Sequence, residues 1–283
     1  MDALVLSNEM AIRLGFFFAT LVVMGLWEWL APRRALSVSR LRRWLNNLSV
    51  VFFNTVLIRV LFPAAAVGVA ALAAGQGWGL LNHFALPPWL AIALAVLVMD
   101  LAIYLQHVMV HALPLLWRVH RMHHADLDID VTTGLRFHPI EIVLSMLIKF
   151  ATVALLGAPV AAVVLFEVLL NVSSMFNHGN VRLPLALDRV LRLFVVTPDM
   201  HRVHHSIAHD ETNSNFGFNL PWWDRLFGTY RAQPRAGHEG MTIGIELFRA
   251  EREVTGFFRM LQIPFRSRGE DGAGAGHSAR QGR

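Results

Sequence analysis

The stretch from Val60 to Met99 contains no aspartate, glutamate, lysine or arginine, and this constrains the fold more than any other feature. A charge-free run of this length holds two membrane crossings, since one crossing needs about 20 apolar residues. Glycines between 75 and 79 and the pair Pro87–Pro88 interrupt the run and predict the turn between the crossings. We therefore expect an all-α integral membrane protein.

The overall composition agrees with a membrane protein. Of 283 residues, 55% are hydrophobic and 16% are charged, whereas soluble domains carry about 25% charged residues. The absence of cysteine excludes disulfides, thiolate metal sites and cysteine-ligated iron–sulfur clusters. On so apolar a chain, the net charge of +5 indicates loops facing anionic lipid rather than a nucleic-acid partner.

About four spanning units are predicted, namely three helices and one helical hairpin. The first helix covers residues 10–31 and the third covers about 89–112. The second is either one helix that starts near Trp44 and kinks at Pro63, or an interfacial segment over 44–58 followed by a span from Val60. The loop after the first helix is cytoplasmic by the positive-inside rule, which leaves the N-terminus outside. Its five arginines are Arg33, Arg34, Arg40, Arg42 and Arg43.

Residues 140–156 and 160–177 form two apolar arms joined at a Gly-Ala-Pro turn, which predicts a helical hairpin that enters the bilayer and returns. Each arm is roughly 26 Å long at 1.5 Å per residue, which barely spans a membrane. Lys149 and Glu167 stand at equal distances from the turn. We expect them to pair, because an unpaired charge at that depth is costly.

The polar segments after the third helix and after the hairpin are predicted to form a cytoplasmic, helical, histidine-rich cap. The expected organisation is N-terminal transmembrane helices over 1–99, a catalytic core over 100–235, a cytoplasmic C-terminal segment over 236–265 and a disordered tail over 266–283. The tail is rich in glycine, arginine and serine. The compact, arginine-heavy chain indicates the bacterial inner membrane, with the C-terminus in the cytoplasm.

Eight of the 14 histidines fall into three short boxes. Their spacings of i, i+4 and i, i+3, i+4 would place the imidazoles of each box on one face of a helix. Neutral imidazole is the commonest protein ligand for first-row metals. Eight imidazoles are too many for one tetrahedral zinc and suit two metal ions. The boxes are His107 and His111; His120, His123 and His124; and His201, His204 and His205.

Further polar residues stand beside the boxes. Asp100 and Tyr104 share a helical stripe with the first box. Asp100 is expected to accept a ring N–H from a ligand histidine, with an ion pair to Arg59 as the alternative. His138 and His178 stand at the two ends of the hairpin, where each either binds a metal or hydrogen-bonds beside the ligands.

From Asp100 to Tyr230 the chain resembles the sterol desaturase / fatty acid hydroxylase superfamily of membrane di-iron enzymes. The resemblance implies two iron ions held by histidines at the cytoplasmic face, O₂ as co-substrate and a lipid substrate from the bilayer. It makes the eight box histidines the catalytic set, adds His138 and His178 as metal ligands, and places Asp100, Tyr104 and Asp199 at the cofactor site. Besides the boxes, its motifs are Trp117–Arg118, Arg136–Pro139, Asn177–His178, Thr197–Met200, Asn213–Gly217 and Trp223–Tyr230.

One position departs from the family pattern. Fatty acid 2-hydroxylase-like members carry a histidine where this chain has Ser174. Either the site has one fewer ligand or His138 takes up the role.

The expected reaction is hydroxylation or desaturation of a fatty acyl, sterol or related chain. Because no dinucleotide fingerprint, cysteine or heme domain is visible, the electrons are expected from a separate reductase, ferredoxin or cytochrome. The alternative is a non-catalytic metal-binding or transport protein of the membrane. A zinc hydrolase fits less well, since no box contains the glutamate that such a site uses as its base.

Overall fold

The computed structural model describes residues 2–267, so the predicted disordered tail lies outside the described residues except for its first two positions. All regular secondary structure in the described part is helical, and two isolated β-bridges join Pro32 to Val181 and Ser206 to Ile243. The main helices are α1 (Asp2–Leu30), α2 (Arg40–Leu61), α3 (Ala65–Gln76), α4 (Pro88–Ala112), α5 (Pro114–His124), α6 (Pro139–Leu156), α7 (Val160–Asn177), α8 (Leu185–Leu191) and α9 (Pro198–His204).

Shorter helical turns follow the main helices or connect them. The α-helical turns are α10 (His209–Thr212), α11 (Trp222–Leu226), α12 (Gly237–Gly240), α13 (Glu251–Val254) and α14 (Phe257–Gln262). The 3-10 turns are Leu80–His83, Thr133–Leu135 and Ile263–Phe265.

Five helical segments are long and apolar enough to cross a membrane, in agreement with an all-α membrane protein. Within the second segment, α2 ends at Leu61 and α3 begins at Ala65. This fits the predicted helix with an interruption at Pro63, because proline lacks the N–H that would continue the ladder. The segments are Ser7–Leu30, Arg40–His83, Pro88–Ala112, Pro139–Leu156 and Val160–Asn177.

The two helical arms of the predicted hairpin and the turn between them are confirmed. Helix α6 starts at Pro139, a residue suited to the first helical position, and ends at Gly157, whose φ of 67° lies in the left-handed region that favours glycine. The α7 helix then begins after Pro159. Lys149 Nζ donates to Glu167 Oε1 at 2.8 Å, which confirms the predicted pair. Arg13 of α1 is a second cationic partner of Glu167 that the sequence did not reveal.

The spanning helices pack so that the hairpin is central. Helix α1 lies along α7, and α3 and α4 contact both arms of the hairpin. Buried apolar side chains fill the contact, including Ala66, Ala70, Met99, Val163 and Phe166. The loop after α1 bonds to the chain after α7 through Arg33 N and Asn180 O at 2.9 Å. These contacts bring the ends of the helices together where the histidine boxes lie.

The hairpin ion pair gives a first prediction. Lys149→Met is expected to lower stability by about 1.5–3 kcal/mol, the range for a hydrogen bond to a charged group, because Glu167 then keeps only Arg13. Thermal unfolding in one detergent measures the change. Arg59→Met is the matched control, since exposed Arg59 donates to the carbonyl of Pro63, and it should change stability by no more than about 0.5 kcal/mol. An equal loss in both variants would contradict the role of the pair.

Candidate metal centre

Nine histidines from four helices form two adjoining groups. In each group the nearest ring nitrogens all lie within 4.8 Å of one another. All nine side chains are buried except that of His111, which is half-buried. The five-histidine group contains His107, His111, His120, His124 and His204, and the four-histidine group contains His123, His178, His201 and His205.

The two H-x-x-H-H boxes are divided between the groups. In α5, His120 and His124 lie one turn apart in the five-histidine group, while His123 points to the other group. In the third box the division is reversed, with His204 in the five-histidine group and His201 in the four-histidine group. The three imidazoles of the second box lie side by side as expected, with ring centroids 4.9–5.2 Å apart, but the box does not serve one group alone. Each H-x-x-H-H box therefore contributes imidazoles to both groups, which places the two groups side by side.

Hydrogen bonds at Nδ1 fix several of the rings. His107 Nδ1 lies 2.7 Å from the carbonyl oxygen of Phe216, and His204 Nδ1 lies 2.8 Å from that of Ser214. His178 Nδ1 lies 2.7 Å from the carbonyl oxygen of its own helix at Ser174. Because a carbonyl only accepts, each Nδ1 carries the proton and each Nε2 is left with a lone pair. This is the arrangement of a metal-ligating histidine.

Three ring nitrogens inside the five-histidine group have no hydrogen-bond partner in the described part of the chain. Buried Nε2 atoms of His107, His111 and His204 have no hydrogen-bond partner among residues 2–267. Nitrogen lone pairs that face one another at this distance repel, and a buried acceptor without a donor is costly. A cation between them removes both penalties, and imidazole donors suit iron, copper and zinc. The residues present therefore fit a transition-metal pair.

Burial keeps these imidazoles neutral, as metal ligands must be. Desolvation, with smaller contributions from neighbouring histidines, lowers the pKa of His123, His124 and His201 well below the usual value. Burial likewise lowers the pKa of His178 to about 3 despite its hydrogen bond to Ser174.

A carboxylate supports the five-histidine group from outside. Glu141 Oε1 accepts from His120 Nδ1 at 2.7 Å, and both side chains are buried. Glu141 is not among the site residues predicted from the sequence. The contact was not predictable from spacing, because the two residues belong to different helices.

Glu141 gives a second prediction. Glu141→Ala is expected to weaken metal binding at the five-histidine group about 10–100-fold, because the His120 ring loses the acceptor that orients it. Anaerobic competition with a chelator should resolve this site from the four-histidine group, whose affinity should stay the same. Glu141→Gln keeps an acceptor oxygen and should retain most of the affinity. Equal weakening of both groups would instead indicate a general folding defect.

Two sequence expectations need correction. Asp100 accepts from Asn219 Nδ2 at 2.7 Å and from Trp223 Nε1 at 2.8 Å, rather than from a ligand histidine or Arg59. His138 lies outside both groups and caps α6, where its Nδ1 accepts from the backbone N–H of Ile140. His138 therefore does not replace the histidine that the family has at Ser174.

The remaining predicted site residues lie near the groups without joining them. The Tyr104 hydroxyl is 2.9 Å from Thr229 Oγ1, and Thr229 donates to Asp224. Asp224 accepts from the backbone N–H of Phe216. The carbonyl oxygen of Phe216 in turn accepts from His107 Nδ1. Tyr104 thus belongs to the support of the first box.

Asp199 likewise contacts no box histidine among the described residues. It pairs with Arg202 and Arg33, and His238 Nε2 lies 3.5 Å away. Asp199 therefore anchors the third box to the loop after α1.

A buried network that sequence analysis missed supports the segment after α5. Arg43 of α2 donates to Asp126 through Nε at 2.9 Å and Nη2 at 2.8 Å, and to Asp130 through Nη1 at 2.5 Å. Arg136 donates to the carbonyl of Met122 inside the second box at 2.9 Å. Burial would raise the pKa of Asp126, but the charges of Arg43 and Arg136 outweigh it and lower that pKa to about 2.

Comparisons with known proteins identify what this architecture is similar to. The family model described as fatty acid hydroxylase matches residues 92–229, the part that holds all nine histidines. Ornithine lipid hydroxylase OlsE of Rhizobium tropici is 27% identical over 261 residues, which are 89% of this chain and 75% of that protein. No solved structure matches the chain significantly.

Two animal proteins named alkylglycerol monooxygenase also match. The Homo sapiens protein is 28% identical over 179 residues, which are 60% of this chain and 38% of that protein. The Xenopus tropicalis protein is 27% identical over 241 residues, which are 82% of this chain and 50% of that protein. The chain therefore spans half or less of these two relatives.

Proposed function

This chain belongs to the sterol desaturase / fatty acid hydroxylase superfamily, and we propose that it is a di-iron oxygenase that hydroxylates a C–H bond of a membrane lipid. The observation that carries the proposal is the pair of adjoining histidine groups, in one of which the Nε2 atoms of His107, His111 and His204 are buried without a hydrogen-bond partner among residues 2–267. The relatives favour hydroxylation over desaturation, since their names describe a hydroxylase and a monooxygenase.

The nine histidines would hold one iron in each group. Iron bound there would supply the activation of O₂ that an unactivated C–H bond requires. The chain's own contribution is to orient the ligands and exclude water. Phe137 stacks on His123 with ring centroids 4.4 Å apart, and Phe216 and Phe218 lie within 5.5 Å of His107. These aromatic side chains give the site an apolar border suited to a hydrocarbon.

The distribution of the histidines argues against a transporter. A transporter would carry ligands along several crossings, whereas only His107 and His111 of the nine lie within a segment that could span a membrane. We place the histidine groups and the C-terminus on the cytoplasmic side of a bacterial inner membrane, because the arginine-rich loop after α1 lies on that side of the bundle. Residues 100–235 would form the catalytic unit, with electrons from a separate donor protein.

Lipid oxidation by the purified chain tests the proposal. The protein is purified without oxygen, loaded with ferrous iron, and given isotopically labelled O₂, a chemical reductant and one lipid at a time. Ornithine lipid and alkylglycerol are the first substrates, because the relatives act on lipids of these names. We expect one labelled oxygen atom in a lipid product and none with His204→Ala. A zinc-only protein without oxygen uptake after iron loading would contradict the proposal.

A further inference from the structure

Helix α8 has its polar and apolar faces reversed relative to a helix on a water-facing surface. Asp188 is buried and forms an ion pair with buried Arg192. The apolar side chains point outward instead, and Leu185 is 69% exposed. A helix that buries an ion pair and exposes most of its hydrocarbon fits a partly apolar surrounding rather than water alone. The other exposed apolar residues here are Leu187, Val190, Leu193 and Phe194.

A second apolar segment continues this surface. Trp222, Leu226 and Phe227 in and after α11 are also exposed. The two segments are joined, because Trp222 Nε1 donates to the carbonyl of Leu193 at 2.7 Å. We call residues 185–194 and 222–227 together the apolar ledge. Contiguous exposed apolar patches mark protein-contacting or membrane-contacting surfaces in folded proteins.

The ledge contacts α4 where the charge-free part of that helix ends, on the side of the histidine boxes. Trp223 is bonded to Asp100, the first charged residue after the charge-free run Val60–Met99. The Phe227 ring stacks on Tyr104, one turn further along α4, with centroids 5.5 Å apart. Exposed Leu105 continues the apolar surface onto the part of α4 that leads to the first histidine box.

Positive charge borders the ledge. Arg189 and Arg225 are exposed, and neither forms a salt bridge within residues 2–267. Arg225 is held in place over the Tyr230 ring, 4.1 Å from its centroid. Arginines beside an apolar surface at a bilayer boundary meet the phosphates of anionic lipids.

We propose that the apolar ledge inserts into the headgroup–acyl boundary of the leaflet on the histidine side, with Arg189 and Arg225 at the level of the phosphates. The occupant of this surface is the bilayer itself. The ledge lies next to the residues that support the first histidine box, since Phe227 of the ledge stacks on Tyr104. This inference does not rest on the proposed oxygenase activity.

Spin labels test the position of the ledge in the full-length chain. Because the chain has no cysteine, single substitutions give unique labelling sites. Leu187→Cys, Val190→Cys and Leu226→Cys are labelled in vesicles of equal parts phosphatidylcholine and phosphatidylglycerol. Collisions with O₂, which concentrates in lipid, should exceed collisions with a water-soluble nickel complex at all three sites. Arg252→Cys, on the exposed polar turn α13, is the control and should show the opposite order.

Two outcomes would overturn the proposal. Water-like collision rates at the three sites would place the ledge in solvent. Protection from both reagents would mean that protein, such as a second copy of the chain, covers it. All three side chains are exposed, so their replacement removes no core contact. Detergent melting temperatures close to that of the unsubstituted chain would establish that each variant is folded.

Discussion

Replacing His178 with alanine is expected to reduce the iron content from about two ions per chain to about one and to abolish lipid hydroxylation. The four-histidine group would keep only three imidazoles, and a three-ligand site holds its metal far less tightly than a closed four-ligand site. The five-histidine group shares no residue with it and should keep its ion. Metal analysis after anaerobic iron loading and desalting measures the stoichiometry.

His138→Ala is the matched control for His178→Ala. Both residues end an arm of the same hairpin, but only His178 belongs to a histidine group. His138→Ala should keep both ions and lose the cap on α6 and the hydrogen bond from Nε2 to the carbonyl of Leu261, which cost about 1 kcal/mol each. Loss of one ion from His138→Ala together with full occupancy in His178→Ala would contradict the assignment of the groups.

The membrane part of the fold was predictable because its signals are local. Pro139 and Gly157 mark the start and end of α6 through backbone constraints that do not depend on distant residues. The Lys149–Glu167 pair was predictable because the two residues stand at equal distances in sequence from the Gly-Ala-Pro turn. The second cationic partner, Arg13, is on another helix, and a hydrophobic pattern gives no information about which helices meet.

The metal centre was predictable in its chemistry and less so in its arrangement. The ligand residues could be identified from the boxes, because their spacing alone places His120 and His124 on one side of a helix. The partners of Asp100 lie 119 and 123 residues away in the chain, so no local pattern could identify them. His138 and His178 look equivalent in sequence, and only the direction in which each helix end points separates them.

The second large effect is expected from Arg43. Arg43→Ala should destabilise the protein by about 3–5 kcal/mol, because Asp126 and Asp130 would remain buried without their cation. For a chain of this size each kcal/mol lowers the melting temperature by roughly 2–4 °C. Thermal unfolding in detergent, compared under identical conditions, measures the shift.

Arg42→Ala, at the neighbouring position, separates the buried network from the general effect of removing an arginine. Arg42 is 61% exposed and pairs with Glu251, which is itself partly exposed, so its loss should cost no more than about 1 kcal/mol. Comparable melting temperatures for the two variants would contradict the network. Because Asp126 is only two residues beyond the second box, Arg43→Ala should also lower iron occupancy in both groups, whereas a defect confined to α2 would leave occupancy unchanged.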